Sequence, residues 1–244
     1  MQPVLVRKDP PIAVVALNRP SSLNAVNEDL FRAFEAALSD LNHDPAVRAI
    51  ILTGEGGKAF SAGHDTKERL EPDQYGNRPE TMGGMKKILE PFTLKPLVGA
   101  IAGWCVGHGV DWALHCDILV ATEDARFSLP ESRIGVSAGY VWDNVPRVAF
   151  AGDGLRMLLD GRPVSALEAY RIGLVHKVVP KSDLMPEATR LALECARLSI
   201  DQSARIKRVA YFWRNLLLEE CGHLGRLLTD QARAAWVAET GAEA

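Results

Sequence analysis

Short apolar runs rich in β-branched residues alternate along this chain with amphipathic segments of helical period. Residues 12–17 form such a run and are closed by Asn18-Arg19-Pro20-Ser21, which predicts a strand ending in a turn. After a loop through Leu23, Asn24 and Ala25, Asn27 stands where a helix cap would. Leu30, Phe31, Phe34, Ala37, Leu38 and Leu41 then recur at helical spacing until Asn42-His43-Asp44-Pro45 stops them. Residues 47–53 read as the next strand, and strand, helix, strand implies a parallel pair. Further strands are predicted at 97–101, 118–121 and 127–129, with a helix over 109–116 between the first two. From residue 164 the pattern turns helical, over 166–172, 184–198 and 203–237, the last interrupted by Gly222 and Gly225. The pattern defines an α/β chain of one enzyme-sized unit. It has one boundary, near residue 180, between a core over 1–180 that carries the site and a helical region over 181–244.

Residues 97–121 are apolar enough to raise the question of a membrane span. Gly99, Gly103, Gly107, His108, Gly109, Asp111, His115 and Asp117 interrupt them, and charges in mid-span are expensive in lipid, so the stretch reads as buried strand, turn, helix and strand. Residues 69–84, rich in Pro, Gly, Asp, Glu and Asn, read equally well as a lid beside a site and as a plain surface loop. The 244 residues carry 28 Lys and Arg against 31 Asp and Glu, a net charge of −3. That excludes a global cationic field, so no nucleic-acid or membrane partner is expected and an anionic ligand must be held locally. Cys105, Cys116, Cys195 and Cys221 form no C-x-x-C pair and no secretory leader is read, so reduced thiols, a cytoplasmic location and no metal site are expected.

Two glycine-flanked turns carry the candidate chemistry: Ser61-Ala62-Gly63-His64-Asp65, and residues 103–111, which include Gly107-His108-Gly109. Each can aim a backbone N–H at one ligand atom, and two such donors make an oxyanion hole. Read singly, each is also an ordinary tight connection whose glycines supply φ > 0 or close approach. Together, each beside a strand end and each followed by a carboxylate, they point to the N–H groups of His64 and His108 as paired donors. Asp111 falls in the first helical turn, and Glu131 follows twenty residues later in a loop after a strand. Two carboxylates sharing a small site acquire separated proton affinities, so one can be acid and the other base. Alternatively, Asp111 satisfies the helix start and Glu131 lies on the surface. The imidazoles of His64 and His108 titrate near neutrality and could act as bases, but backbone presentation turns them away or makes them pocket wall. Gly135-Val136-Ser137-Ala138-Gly139 fits G-x-S-x-G, with Asp160 and His176 in the order of a hydrolase triad, yet no strong strand run precedes Ser137.

Residues 60–68 resemble the F-x-A-G-x-D-x-K-E segment of the crotonase (enoyl-CoA hydratase/isomerase) superfamily. Residues 103–117 resemble its G-x-x-x-G-G-G-x-E/D-x-x-x-x-x-D segment, 127–135 its F-x-x-P-E-x-x-x-G segment, and 159–175 its later T-G…G-L-V stretch. The resemblance covers most of the chain. It implies a crotonase (ClpP-like) ββα spiral core with a C-terminal helical trimerisation region, packed as a homotrimer or dimer of trimers. The implied substrate is an acyl-CoA thioester, with coenzyme A part of the substrate and no separate cofactor. The implied activity is enoyl-CoA hydration, with Asp111 and Glu131 catalytic, the His64 and His108 N–H groups in the oxyanion hole, and Asn24, Ala25, Ala62 and Asp65 around CoA.

The chain also departs from the family pattern. His108 replaces the usual middle glycine, and Asp111 stands where typical hydratases carry glutamate, which draws the carboxylate back by roughly 1.5 Å, one C–C bond. Aspartate there also resembles dienoyl-CoA isomerases, but the further acid those enzymes use falls on Gly139, with Asp143 a nearby substitute. A double-bond isomerase, a serine hydrolase at Ser137 and a non-catalytic binding homologue are the alternatives. Trp104, Trp112, Tyr140 and Trp142 read either as walls for a bulky acyl group or as core. Arg205, Lys207 and Arg208 read as partners for CoA phosphates or as a solvated helix face.

Overall fold

A computed structural model describes residues 2–67, 92–133, 145, 149 and 151–215. Its strands are β1 (Val4–Asp9), β2 (Ile12–Leu17), β3 (Ala49–Gly54), β4 (Ala59–Ser61), β5 (Leu97–Ile101), β6 (Trp104–Val106), β7 (Ile118–Thr122), β8 (Arg126–Ser128), β9 (Val164–Ser165) and β10 (Lys177–Val179). Its helices are α1 (Glu28–His43), α2 (His108–Leu114), α3 (Ala151–Asp160), α4 (Ala166–Arg171), α5 (Leu184–Cys195) and α6 (Ile200–Asn215).

The strands form two sheets. The larger has the order β1-β2-β3-β5-β7-β10, antiparallel between β1 and β2 and parallel thereafter. The smaller has the order β4-β6-β8-β9, parallel through β8. Each central strand of the large sheet turns a corner into a strand of the small one: β3 into β4, β5 into β6, β7 into β8. Successive corners stack through Trp104 N–H donating to Lys58 O at 3.1 Å and Arg126 N–H donating to Gly103 O at 3.0 Å. The result is a spiral of paired strands whose turns lie one above another.

Strands β3, β5 and β7 are apolar on both faces because both faces are covered. One face sends Ile50, Leu52, Leu97, Ile101, Leu119 and Ala121 toward Phe31, Phe34, Leu38 and Leu41 of α1. The alternate residues Ala49, Ile51, Val98, Ala100 and Val120 meet Leu184, Ala188 and Ala192 of α5. Helix α1 begins where Asn27 Oδ1 accepts the N–H of Leu30 at 3.1 Å, as the capping pattern predicts, and its last turn delivers the carbonyl of Leu41 to the buried ammonium of Lys95.

Several elements differ from the sequence reading. Strand β2 has the predicted limits, whereas β3 starts two residues later than expected. Strand β1 gave no signal because only Val4 is buried and the other five residues face solvent. Strands β4 and β6 are three residues each, defined by pairing rather than period. The 97–121 stretch resolves into β5, β6, α2 and β7, and among the described residues no helix is long and apolar enough to cross a membrane. Strand β10 returns the chain to the large sheet inside the region read as helical. Past the boundary expected near residue 180, α5 lays its alanine face into the second core layer, so the described part of the helical region is continuous with the spiral.

Helix α6 is fixed by one buried cation. Lys207 Nζ donates to Asp117 Oδ2 at 2.7 Å and to Lys95 O at 3.0 Å, and Asp117 Oδ2 also accepts the N–H of Leu97 at 2.7 Å. Lys207 is therefore neither a phosphate partner nor a solvated residue, whereas Arg205 and Arg208 of the same helix are exposed. Replacing Lys207 with Met strands Asp117 beside the strand it organises. We expect a loss of about 3 kcal/mol, read from urea unfolding, with part recovered in Lys207→Met/Asp117→Asn.

Candidate functional site

Parallel pairing of β4 with β6 makes both strands end on the same side of the small sheet, so the two glycine-flanked turns emerge next to each other. A Cβ on Gly63, whose φ is +90°, would lie 2.8 Å from Val106 O and 3.5 Å from the backbone nitrogen of His108. Only glycine permits that approach. The first turn is held by Ala62 N–H to Leu23 O at 2.9 Å, Gly63 N–H to Ser61 Oγ at 3.2 Å and Asp65 N–H to Val26 O at 2.9 Å. The second is held by Gly107 N–H to Ser128 O at 2.9 Å, and by Val110 and Asp111 N–H to Gly107 O at 2.8 and 3.2 Å. His108 opens helix α2, so its N–H belongs to the first helical turn.

Gly107, at φ +51°, is met by the Glu131 side chain and by the backbone of Asp111. A Cβ there would stand 2.7 Å from Glu131 Oε1, and Asp111 is hydrogen-bonded to the Gly107 carbonyl. Glu131 sits in the 3-10 turn Pro130–Arg133 directly after β8, the strand beside β6. Its Oε2 and Asp111 Oδ1 are buried, and among the described residues neither accepts a hydrogen bond. Burial pushes the Glu131 carboxyl above the ordinary range, partly offset by its own backbone N–H. Behind Asp111, the nearly buried His115 donates through Nδ1 to the Asp111 carbonyl oxygen at 2.8 Å, with the same nitrogen 3.9 Å from Asp111 Oδ1. His115 stacks on Phe92 at 4.1 Å, while Trp112 stacks on Phe34 at 4.2 Å. Helix α2 is thus keyed into the core on the side away from the turns.

Two of the four expected CoA contacts, Asn24 and Ala25, lie in the loop of residues 19–27, and the polar groups of Asn24 and Asp65 have partners within the protein. Asn24 is fully buried; its Nδ2 donates to Glu55 O at 3.0 Å and Ala59 O at 2.9 Å, and its Oδ1 accepts Arg19 N–H at 2.9 Å. Its backbone N–H donates to Arg19 O and its carbonyl accepts Ser61 Oγ–H at 2.8 Å, so Asn24 shapes the loop with every polar group it has. Ala25 N–H donates to Ser22 O. The Asp65 carboxylate lies 2.9 Å from Arg19 Nη1 and accepts Lys67 N–H at 3.2 Å. Burial would raise it, but the guanidinium and these hydrogen bonds hold it below the usual carboxylate range. Sequence reasoning overlooked Arg19 and Ser61; the only signal for either was its place beside a turn.

Trp112 is core and Trp104 is exposed on β6. Residues 69–84, the Ser137 motif, Gly139, Tyr140, Trp142, Asp143 and Cys221 lie outside the described residues. The acid and base expected to serve Ser137 are occupied elsewhere. Asp160 accepts from Arg156 and from Arg162 N–H, and His176 Nδ1, which a triad needs as a donor, accepts Leu119 N–H at 2.9 Å. Cys105 and Cys116 are buried, and burial pushes both thiols above their ordinary value. Among the described residues no group of three or more His, Cys, Asp or Glu side chains converges as a metal would require.

The family model for enoyl-CoA hydratase/isomerase matches residues 7–211, and the chain belongs to that family. It is 36% identical over 191 residues to the short-chain-enoyl-CoA hydratase of Clostridium acetobutylicum, covering 78% of this chain and 73% of the relative. It is 32% identical over 195 residues to the crotonyl-CoA hydratase of Syntrophomonas wolfei, covering 78% and 74%. Among solved structures, the enoyl-CoA hydratase of Mycobacterium tuberculosis H37Rv superposes with a TM-score of 0.80 at 31% identity over 96% of this chain and 98% of its own. A carnitinyl-CoA dehydratase from Mycobacterium avium superposes with a TM-score of 0.83 at 30% identity over 100% and 97%. The crotonase fold and family expected from the motifs are therefore those of the chain.

The environment of Glu131 has a consequence for stability. With its pKa raised on folding, the unfolded chain releases this proton first as pH rises, so Glu131 costs stability above the ordinary carboxylate range. Glu131→Gln is expected to unfold at higher denaturant than the parent at pH 7, the difference shrinking toward zero near pH 4. Paired denaturant titrations at the two pH values measure it.

Proposed function

We propose that this chain hydrates an α,β-unsaturated acyl-CoA thioester, with Asp111 and Glu131 as the acid/base pair. The carrying observation is that, among the described residues, no hydrogen-bond donor meets the buried oxygens Asp111 Oδ1 and Glu131 Oε2, with Glu131 against Gly107, the turn that leads into His108, and Asp111 in the first turn of the helix that His108 opens. Unsatisfied buried carboxylates are expensive, and a water and a substrate between them would satisfy both. The thioester oxygen sits between the N–H groups of His64 and His108, which stabilise the enolate as charge moves onto it. Asp111, as carboxylate, takes a proton from water whose oxygen bonds to the β-carbon. Glu131, which burial keeps protonated further up the pH scale, gives its proton to the α-carbon. The two acids exchange protonation states, and solvent resets them.

Coenzyme A, as part of the substrate, lies along the loop containing Asn24 and Ala25 and the turn from Ala62 to Asp65. In this reading Asn24 and Asp65 build the cradle, and Ala25 and Ala62 let the ligand come close. The chain assembles with copies of itself as a trimer or dimer of trimers. Supporting this, Leu155 and Leu159 of α3 and Leu167 and Tyr170 of α4 are 50%, 71%, 71% and 53% exposed, on helices tied by the Arg156–Glu168 ion pair.

Loss of the conjugated enoyl-thioester absorbance tests the chemistry. Short enoyl-CoAs are expected to turn over, and Asp111→Asn or Glu131→Gln each to lower kcat by about 10²–10⁴ with KM little changed. Turnover surviving both substitutions would refute the assignment. Assembly is tested separately: Leu159→Glu/Leu167→Glu is expected to lower the mass measured by light scattering to that of the single chain.

A further inference from the structure

We propose that Arg19 is a positioning residue for the first oxyanion donor, acting through Asp65 and the carbonyl of Ala25. The inference rests on the reading above that the His64 N–H holds the thioester oxygen. Arg19 lies in the turn out of β2, capping the 3-10 turn Pro20–Ser22, and is remote in sequence from both acids. Its Nη1 donates to Ala25 O at 2.5 Å and to Asp65 Oδ2 at 2.9 Å, with the two side chains 23% and 12% exposed. One guanidinium nitrogen therefore joins the early loop to the residue that follows His64.

The connection continues on both sides of His64. Val26 and His64 form a parallel bridge, in which Val26 N–H donates to Gly63 O at 2.7 Å and Asp65 N–H donates to Val26 O at 2.9 Å. The backbone of Arg19 closes the other end of the loop, its N–H on Asn24 Oδ1 and its carbonyl accepting the Asn24 N–H at 2.9 Å. Between these ties Leu23 and Asn24 stand at φ +52° and +55°, a left-handed conformation that a side chain disfavours and that persists only where surroundings over-determine it. Leu23 in that conformation offers its carbonyl to Ala62 N–H. Residues 62 and 65, on either side of the donor, are thus both referred to Arg19. Donor geometry on an oxyanion is sensitive to shifts well under an ångström, so an anchor of this kind acts on catalysis without touching substrate.

The test reads the oxyanion hole apart from hydration. Acetoacetyl-CoA loses a C2 proton to buffer and forms an enolate with a strong near-ultraviolet band, and donors on the thioester oxygen raise the bound enolate fraction at fixed pH. The parent is expected to develop this band. Arg19→Met, which keeps an unbranched apolar stem and removes the donor, is expected to weaken enolate affinity about tenfold or more while affinity for free coenzyme A changes less than about threefold. Arg19→Lys is expected to recover part of the band, and Arg19→Met/Asp65→Asn to be no worse than Arg19→Met alone. Thermal unfolding of each variant confirms that folded protein is compared. An unchanged band in folded Arg19→Met, or equal loss of enolate and free coenzyme A affinity, overturns the positioning role. Absence of the band in the parent overturns the oxyanion reading itself, and a band without hydration of any enoyl-CoA overturns only the hydratase assignment.

Discussion

The parallel pairing of two three-residue strands, β4 and β6, is the constraint on which the site depends. Its register places Ala59 beside Trp104 and Ser61 beside Cys105, so Gly63 and Gly107 leave the sheet together and a side chain on Gly63 would collide with the neighbouring turn. Neither strand is long enough to be stable alone. Their register is imposed by the corners of the spiral, where Lys58, Gly103 and Arg126 stack through hydrogen bonds, and by the deeply buried strands that feed those corners. The large sheet supplies the rigidity, and the small sheet converts it into a fixed distance between two turns.

Around that fixed pair the molecule carries groups that a purely structural protein would avoid. Asp111 and Glu131 hold buried oxygens that no hydrogen bond reaches among the described residues, and the proton affinity of Glu131 rises because burial disfavours its charge. Such groups remain in place only where their supports are over-determined. Helix α2 is locked by the stack of Trp112 on Phe34 and of His115 on Phe92, and Glu131 by its 3-10 turn on the end of β8. Each acid thus belongs to a different element, and Gly107 is the place where the elements touch.

The sequence carried the chemistry more clearly than the geometry. Glycine spacing, the two carboxylates and the family motifs were legible because they are local patterns. Long or strongly periodic elements such as β2 and α1 were legible for the same reason. What was hidden is what only tertiary pairing defines: β1, whose exposed residues leave no apolar signal, and β4 and β6, whose identity lies in their partners. Residue roles were hidden in the same way. Asn24 and Asp65 look like ligand contacts on a loop, yet their polar groups are taken by Arg19, Ser61 and the backbone of Glu55 and Ala59. Lys207 looks like part of a solvated helix and is the cation of a buried pair.

The departure at Asp111 acquires a physical meaning in this setting. A shorter acid on α2 cannot reach as far as a glutamate would, and helix α2 cannot advance to compensate, because Trp112 and His115 fix it from behind and Gly107 fixes it in front. In the proposed hydration, a water held by Asp111 would therefore sit nearer the helix than a glutamate would hold it. His108, three residues before Asp111, tilts its ring toward Trp112 with centroids 5.6 Å apart, filling space that a glycine there would leave open. Under the proposed function, the shorter acid and the larger residue one turn before it would together change where water and acyl group settle. The backbone of the two turns, which the spiral sets independently, would stay as it is.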